Sequence, residues 1–359
     1  MKKIFITLLS AAAFVACSKS EVQYEANQTI GFAPIAYNQT KAALAKDAVP
    51  TCNLIVSANA GAKGATAASN CSEEYFKNVV FTQGTTQDSE GKSIGNGIFT
   101  AEGYFWPNVK YLTFSGITYS AGVDIAKVNM DVDANSIIIE DYPQQQVGTE
   151  DNDLMWFEHT TPTGKTNNAV AVAMKHACSW IVLNFIGDET SGNTTRPWRI
   201  TNITINSLTN KETATLTSSA NWSNTGSNNN NLVVYNNGSK TTGGQPLDAE
   251  SVFTPSSNGI IVIPQKPTTL TITYNYVSQF GPNDEVETDD VVIEEVATVE
   301  LNFDGTAETP TTWSNWAPGT KYTYDVTIGA AAIKIAPKAA DWVVYDADSD
   351  TGENQNIVK

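Results

Sequence analysis

The chain is 359 residues long and carries a formal net charge of −17 at pH 7. A field of that sign repels phosphate backbones, which argues against nucleic acid as a partner. The length suggests two domains rather than one.

In chain order, the first predicted element is a secretory signal over residues 1–16. Met1, Lys2 and Lys3 form a short basic start, and Ile4 to Ala16 is a predominantly apolar run without charge. The run is too short for a permanent membrane span. It ends Phe14-Val15-Ala16-Cys17, a bacterial lipobox pattern with Phe14 where leucine is usual. Cleavage before Cys17 would leave that residue as the site of lipidation, anchoring the chain through buried acyl groups at the outer membrane. Loss of Lys2 and Lys3 would take the net charge from −17 to −19. Residues 17–27 then read as a lipidated tether, and no later stretch has the length and apolarity of a transmembrane helix.

Beyond the tether, helical periodicity is scarce and short alternating runs dominate. Ile181, Leu183 and Phe185 form one such row, Val299, Leu301 and Phe303 another. Residues 269–276 (TLTITYNY) and 321–328 (KYTYDVTI) alternate polar and apolar at period two. Successive strand side chains point to opposite faces, so this pattern buries one face and wets the other. Many short strands between Gly, Asn and Pro clusters predict an all-β fold of tandem β-sandwiches. The polar, turn-rich segment from His159 to Asn168 places the boundary between an N-terminal domain, 28–165, and a C-terminal domain, 166–359. Residues 224–231 (NTGSNNNN) read as an exposed loop of the second domain.

Residues that could carry chemistry are few. The sequence holds two histidines, His159 and His176, and no HExxH, GxSxG, P-loop or CxxC pattern. His176 lies in an apolar run with no activated nucleophile beside it, and Cys178 reads as a small buried hydrophobe. Cys52 and Cys71 bracket a small-residue loop in an oxidising compartment. A loop-closing disulfide and two unpaired thiols both remain open, because spacing alone fixes no geometry. Two acidic clusters, from Asp131 to Asn135 and from Asp346 to Gly352, have part of a calcium-loop spacing. Each lacks the bidentate Glu: Tyr142 and Ile357 stand there instead, so both read as solvated turns. No metal or cofactor is expected, and the chain reads as structural rather than enzymatic. The aromatic content, eight Trp and thirteen Tyr, reads first as sandwich core.

Several segments together resemble the fimbrillin family of Bacteroidetes lipoproteins, which includes type V pilus subunits. They are residues 30–34 (IGFAP), Thr40-Lys41-Ala42, residues 75–79 (YFKNV), residues 104–107 (YFWP) and Leu112-Thr113-Phe114. Residues 175–181 (KHACSWI), 200–205 (ITNITI), 261–265 (IVIPQ) and 316–324 (WAPGTKYTY) follow, with Trp342 near the end. They run in family order over nearly the whole chain.

The resemblance implies two transthyretin-like sandwiches and an assembly route. A protease removes the first strand, and the vacated groove accepts a strand from another subunit, a form of β-augmentation. Head-to-tail contacts that do not close then give a filament. Mapped here, the removable strand is around Gln28 to Tyr37, and the cut follows Lys41 or Lys46. The commoner Thr-Arg-Ala form is missing, because the two arginines are Arg196 and Arg199. The candidate donor is the stretch from Ala339 to Tyr345, with Trp342 and Val344 on one face and Val343 and Tyr345 on the other; the alternative is that it completes its own sheet. The implied partners are other pilus subunits, the outer membrane and a host or bacterial surface ligand. A surface adhesin or glycan-binding lipoprotein that does not polymerise is the competing reading; it requires a clustered, exposed aromatic platform.

Overall fold

The structure is a computed structural model. It describes residues 28–34, 53–87, 93–119, 123–147, 153–188, 197–223, 229–237, 244–256, 259–279, 291–301, 303–304, 311–312, 315–330 and 333–341. The strands of the first half are β1 (Thr29–Pro34), β2 (Asn53–Ala62), β3 (Glu73–Gln87), β4 (Ser93–Phe105), β5 (Lys110–Tyr119), β6 (Val128–Asp131), β7 (Ser136–Pro143) and β8 (Met155–Phe157). Then come β9 (Val170–Val172), β10 (Lys175–His176), β11 (Ser179–Gly187), β12 (Arg199–Thr209), β13 (Lys211–Leu216), β14 (Ala220–Trp222), β15 (Asn229–Asn236) and β16 (Gln245–Pro246). The last are β17 (Ile260–Val262), β18 (Thr269–Gln279), β19 (Val291–Glu300), β20 (Phe303–Asp304), β21 (Thr311–Thr312), β22 (Thr320–Ile328) and β23 (Ile333–Asp341). No α-helix occurs among the described residues. The fold is all-β and built of sandwiches.

The alternating runs become strands with one buried face. On β18, Leu270, Ile272 and Tyr274 are buried and the intervening threonines are half-buried. On β22 the same holds for Tyr322, Tyr324, Val326 and Ile328, and on β11 for Ile181, Leu183 and Phe185. Strands β11 and β22 lie parallel over eight residue pairs, from Trp180–Lys321 to Gly187–Ile328. They form a sheet in the order β17-β11-β22-β23, which packs on the sheet β15-β12-β18-β19 across one core. Within this core the Tyr324 hydroxyl accepts from Trp316 Nε1 at 2.8 Å and donates to the Leu301 carbonyl at 2.7 Å. A buried phenol is thereby satisfied on both sides.

The first half forms an eight-stranded sheet, β10-β8-β5-β2-β3-β4-β1-β9, curled around its own core. Strand β2 is buried on both faces. Leu54, Val56 and Ala58 point into this core, while Ile55 points into a third core. That third core lies against a four-stranded sheet, β14-β13-β7-β6, to which both halves of the chain contribute.

The boundary expected at 165/166 is therefore crossed three times. The segment from His159 to Asn168 is a polar loop, but it is bonded to β5 through the Leu112–Thr163 bridge and Thr160 N–H to the Phe114 carbonyl. After it, β9 and β10 return to the first sheet. The β13–β14 hairpin pairs with β7. Turn chemistry marks a loop but does not say which sheet the next strand joins.

The halves are also joined by buried amides. Gln144 donates to the Ile261 carbonyl at 2.8 Å and accepts from the Ile263 N–H at 3.0 Å, as a strand backbone would. Gln265 accepts from Thr209 N–H at 2.9 Å.

Candidate functional site

The groove that holds β1 is the best-defined candidate. Strand β1 lies between β4, antiparallel, and β9, parallel. Its sequence, TIGFAP, alternates, so Ile30 and Phe32 share the inward face and both are fully buried. Phe32 meets Phe81 and Phe114 edge-on, with centroids 4.9 and 5.0 Å away, and Phe157 at 6.2 Å. Val170, Val172 and Met174 complete the same core. Gly31, between them, is itself buried and pairs with Thr100. At the mouth of the groove the Trp106 N–H donates to the Gln28 carbonyl at 2.8 Å.

The walls of this groove depend on one glycine. A Cβ at Gly116 of β5 would stand 2.5 Å from the Phe157 ring and 2.9 Å from the Ile55 carbonyl. Only a residue without a side chain lets Phe157 lie flat on β5. Burying Ile30 and Phe32 contributes on the order of 3–6 kcal/mol, taking 1.5–3 for each large apolar side chain. Withdrawal of β1 would expose that surface together with unpaired edges on β4 and β9.

The fimbrillin-like family profile matches residues 53–342 of this chain, from the start of β2 to one residue past β23. The chain belongs to the fimbrillin-like family. That membership supports a fimbrial or cell-adhesion role, which implies a location at the cell surface. A search of curated proteins finds no match. Among solved structures, this fimbrillin-like chain is similar to a fimbrial protein from Bacteroides vulgatus, at 15% identity and a TM-score of 0.48, over 88% of this chain and 100% of that one. It is also similar to a putative cell adhesion protein from Bacteroides uniformis, at 17% identity and a TM-score of 0.46, over 88% and 98%. A fimbrilin from Porphyromonas gingivalis aligns at 11% identity and a TM-score of 0.36, over 88% and 98%.

Of the residues singled out in the sequence, Cys17, Lys41, Lys46, Cys52, Trp342, Val343, Val344 and Tyr345 lie outside the described residues of the fimbrillin-like fold. The start of the candidate donor stretch is described. Ala339, Ala340 and Asp341 end β23 and pair with Tyr322, Lys321 and Thr320 of β22, so these three complete their own sheet. Cys71 is a buried free thiol, with Sγ 3.9 Å from the Tyr111 carbonyl. It sits beside Gly61, at the end of β2 remote from Asn53. Cys52, the other half of the possible Cys52–Cys71 bond, lies outside the described residues.

The family's His176 falls on β10 and is buried with Asp153, the two joined Nδ1 to Oδ2 at 2.7 Å. Cys178 is buried nearby, and its thiol is pushed well above the usual range, first by burial and then by the Asp153 charge. A thiol held protonated is a poor nucleophile, so the proximity of Cys178, His176 and Asp153 packs the junction rather than arming a triad. Asp131 and Asp133 are used in a turn. Asp131 accepts from the Ala134 N–H and Asp133 from Asn59 Nδ2, both at 2.9 Å. Among the described residues no group of three or more His, Cys, Asp or Glu is placed to hold a metal ion.

Sequence reasoning missed the groove walls. Phe81, Phe114, Phe157, Val170 and Val172 come from four strands and share no local motif. The alternation of Val170 and Val172 was readable, but not that β9 lies beside β1.

Proposed function

We propose that this fimbrillin-like protein is a structural subunit of a surface fimbria, assembled by strand exchange after proteolytic loss of its first strand. The observation that supports this most is the position of β1. It is a short strand inserted between β4 and β9, with two fully buried side chains; in the sequence, Lys41 and Lys46 follow it as the proposed cleavage sites. A strand seated that way can be replaced by another of like pattern, because the groove supplies both backbone edges and side-chain pockets. Cys17 would hold the precursor at the outer membrane through its acyl chains until assembly. Other subunits of the same kind are the partners.

The adhesin alternative needs an exposed aromatic platform. Among the described residues, Trp106, Trp156, Trp222 and Trp316 are buried. Trp198 stacks on Tyr274 at 5.5 Å and approaches Tyr276 at 5.1 Å, and this stack packs against the second core.

The test is limited digestion of the folded chain, with Cys17 replaced by serine, using a Lys-specific protease. Mass spectrometry would read the cut, and electrophoresis without boiling would read assembly. Loss of the segment up to Lys41 with a detergent-resistant ladder is expected. Cleavage without oligomers, or a resistant N-terminus, would sink the polymerising role.

A further inference from the structure

We propose that β19 is a docking edge for a second copy of this chain, the two β19 strands pairing antiparallel about a two-fold axis at Val296. The pairing does not depend on strand exchange. It uses the uncut chain and a different sheet from the one that holds β1.

A sheet edge with free backbone donors and acceptors is a template for another strand. Proteins protect such edges with short strands, lysine, proline or bulges. Among the described residues, most edges of this fold carry one of those protections. Strands β9, β10, β14, β16, β17, β20 and β21 have three residues or fewer, and β6 has four. Strand β15 is broken by two register shifts against β12. Strand β23 carries exposed Lys334 and Lys338 with Pro337 between them. Strand β19 has none of these. It runs for ten residues at the end of its sheet and stays in unbroken register with β18 from Glu300 opposite Thr269 to Val292 opposite Val277. Of the eight exposed large apolar side chains among the described residues, three sit on β19: Val291, Ile293 and Val296, the last 63% exposed. A long, regular, apolar edge is the kind that another strand covers.

The sequence of β19 fits itself. Ala297 and Val299 pack toward the second core, so Ile293 and Glu295 share that face, and Val292, Glu294, Val296, Thr298 and Glu300 take the other. A two-fold axis at Val296 sets Val296 against its own copy, Ile293 against Val299, Glu294 against Thr298, Glu295 against Ala297 and Val292 against Glu300. No carboxylate lies opposite another. The paired stretch, 292–300, is the one in unbroken register with β18.

Other arrangements fail on charge, length or face. An axis at Glu294 or Glu295 sets that glutamate against itself, and one at Ala297 sets Glu294 against Glu300. Like charges directly opposite are destabilising. An axis at Ile293 or Thr298 leaves only about half of the strand paired. An axis between two residues sets an inward side chain against an outward one, and a parallel pairing about a two-fold turns one sheet face over. The basic β23 of a second copy is the other candidate by charge. Proline sits on edge strands with its missing N–H toward solvent, so Pro337 breaks the row of donors there, and Lys338 is already held by Asp325 at 2.9 Å. Across the proposed pair, Glu294 and Glu300 of opposite copies, and the two Glu295, meet only on diagonals of about 7–8 Å. Salt screens charges at that range, so the dimer should tighten as salt rises.

The experiment uses the uncut full chain with Cys17 and Cys52 replaced by serine. Sedimentation at concentrations up to about 100 μM, above the micromolar range of weak interfaces, should show monomer and dimer and nothing larger. The dimer should be tighter at about 150 mM than at about 20 mM salt. Val296→Glu sets a glutamate against itself and should weaken the dimer at least tenfold. Val233→Glu adds the same charge at an exposed position of β15 and should leave the dimer unchanged. Both side chains are exposed, so both variants should keep the parent's thermal midpoint. Val296→Cys, oxidised, should give covalent dimers at least tenfold more abundant than Glu294→Cys, Glu295→Cys or Ala297→Cys. Only the residue on the axis faces its own copy, with Cα atoms about 4.5–5.5 Å apart, within disulfide reach. A monomer at every concentration, or a dimer that Val296→Glu leaves intact, overturns the proposal. A stronger link from one of the three shifted positions overturns the register. Species beyond the dimer overturn the two-fold pairing in favour of a head-to-tail contact.

Discussion

Truncating Phe32 to alanine should weaken the uncut protein far more than its place on a short six-residue strand suggests. The ring is fully buried and touches two other rings edge-on, so nothing in the monomer can relax into its space without losing those contacts. Phe-to-Ala changes in cores cost about 3–5 kcal/mol, the lost transfer energy plus the cavity left behind. That is a large fraction of the roughly 5–15 kcal/mol that stabilises a domain. In urea, with a slope on the order of 2 kcal/mol per molar, the midpoint of the first unfolding transition should fall by about 2 M. Thr29→Ala is the control. Thr29 is exposed, and surface changes of that kind stay within about 0.5 kcal/mol. If strand exchange operates, the same Phe32→Ala change should leave an assembled ladder as stable as that of the unmutated chain, because β1 is gone from it. A loss below about 1 kcal/mol in the uncut monomer would refute the reasoning that β1 fills an irreplaceable part of the core.

Three further outcomes follow from the junction between the halves. His176→Ala leaves the buried Asp153 carboxylate without its partner and should cost about 3–5 kcal/mol, while replacing both by apolar residues should recover most of it; equal losses in single and double variants, by urea unfolding, would contradict this. Gln144→Leu strips partners from the Ile263 N–H and the Ile261 carbonyl. At about 1–3 kcal/mol for each orphaned group, it should lower the thermal midpoint, and an unchanged midpoint would mean the amide clasp is replaced by water. Stability should also fall in alkali. Burial raises Cys178 above the usual thiol value of 9.0, and Tyr142 and Tyr324 above the usual phenol value of 10.0. The folded chain keeps these protons while the unfolded chain releases them, so their contribution is intact below pH 9 and is lost as pH rises past 9 and then 10. Cys178→Ala should flatten the earlier part of that decline, as read by denaturant midpoints across pH.

The alternating runs at Ile181–Phe185, Thr269–Tyr276 and Lys321–Ile328 determined strands, and with them the all-β class. Burial of one strand face is a property of residues two apart, so it can be read locally. The ordered motifs from Ile30 to Trp316 carried the family in the same way. Pairing is not local. Nothing in Val170–Val172 or Ala220–Trp222 says that the first lies beside β1 and the second closes a sheet begun by β6. For the same reason, turn chemistry around 165/166 does not tell that β9, β10 and β13 pair with strands of the first half. Only the tertiary structure decided that Phe81, Phe114 and Phe157 converge on Phe32 and that a buried His176–Asp153 pair and a bridging Gln144 lock the two halves. Those contacts depend on which strands become neighbours, and that is set by the global fit of apolar faces rather than by any short stretch of chain.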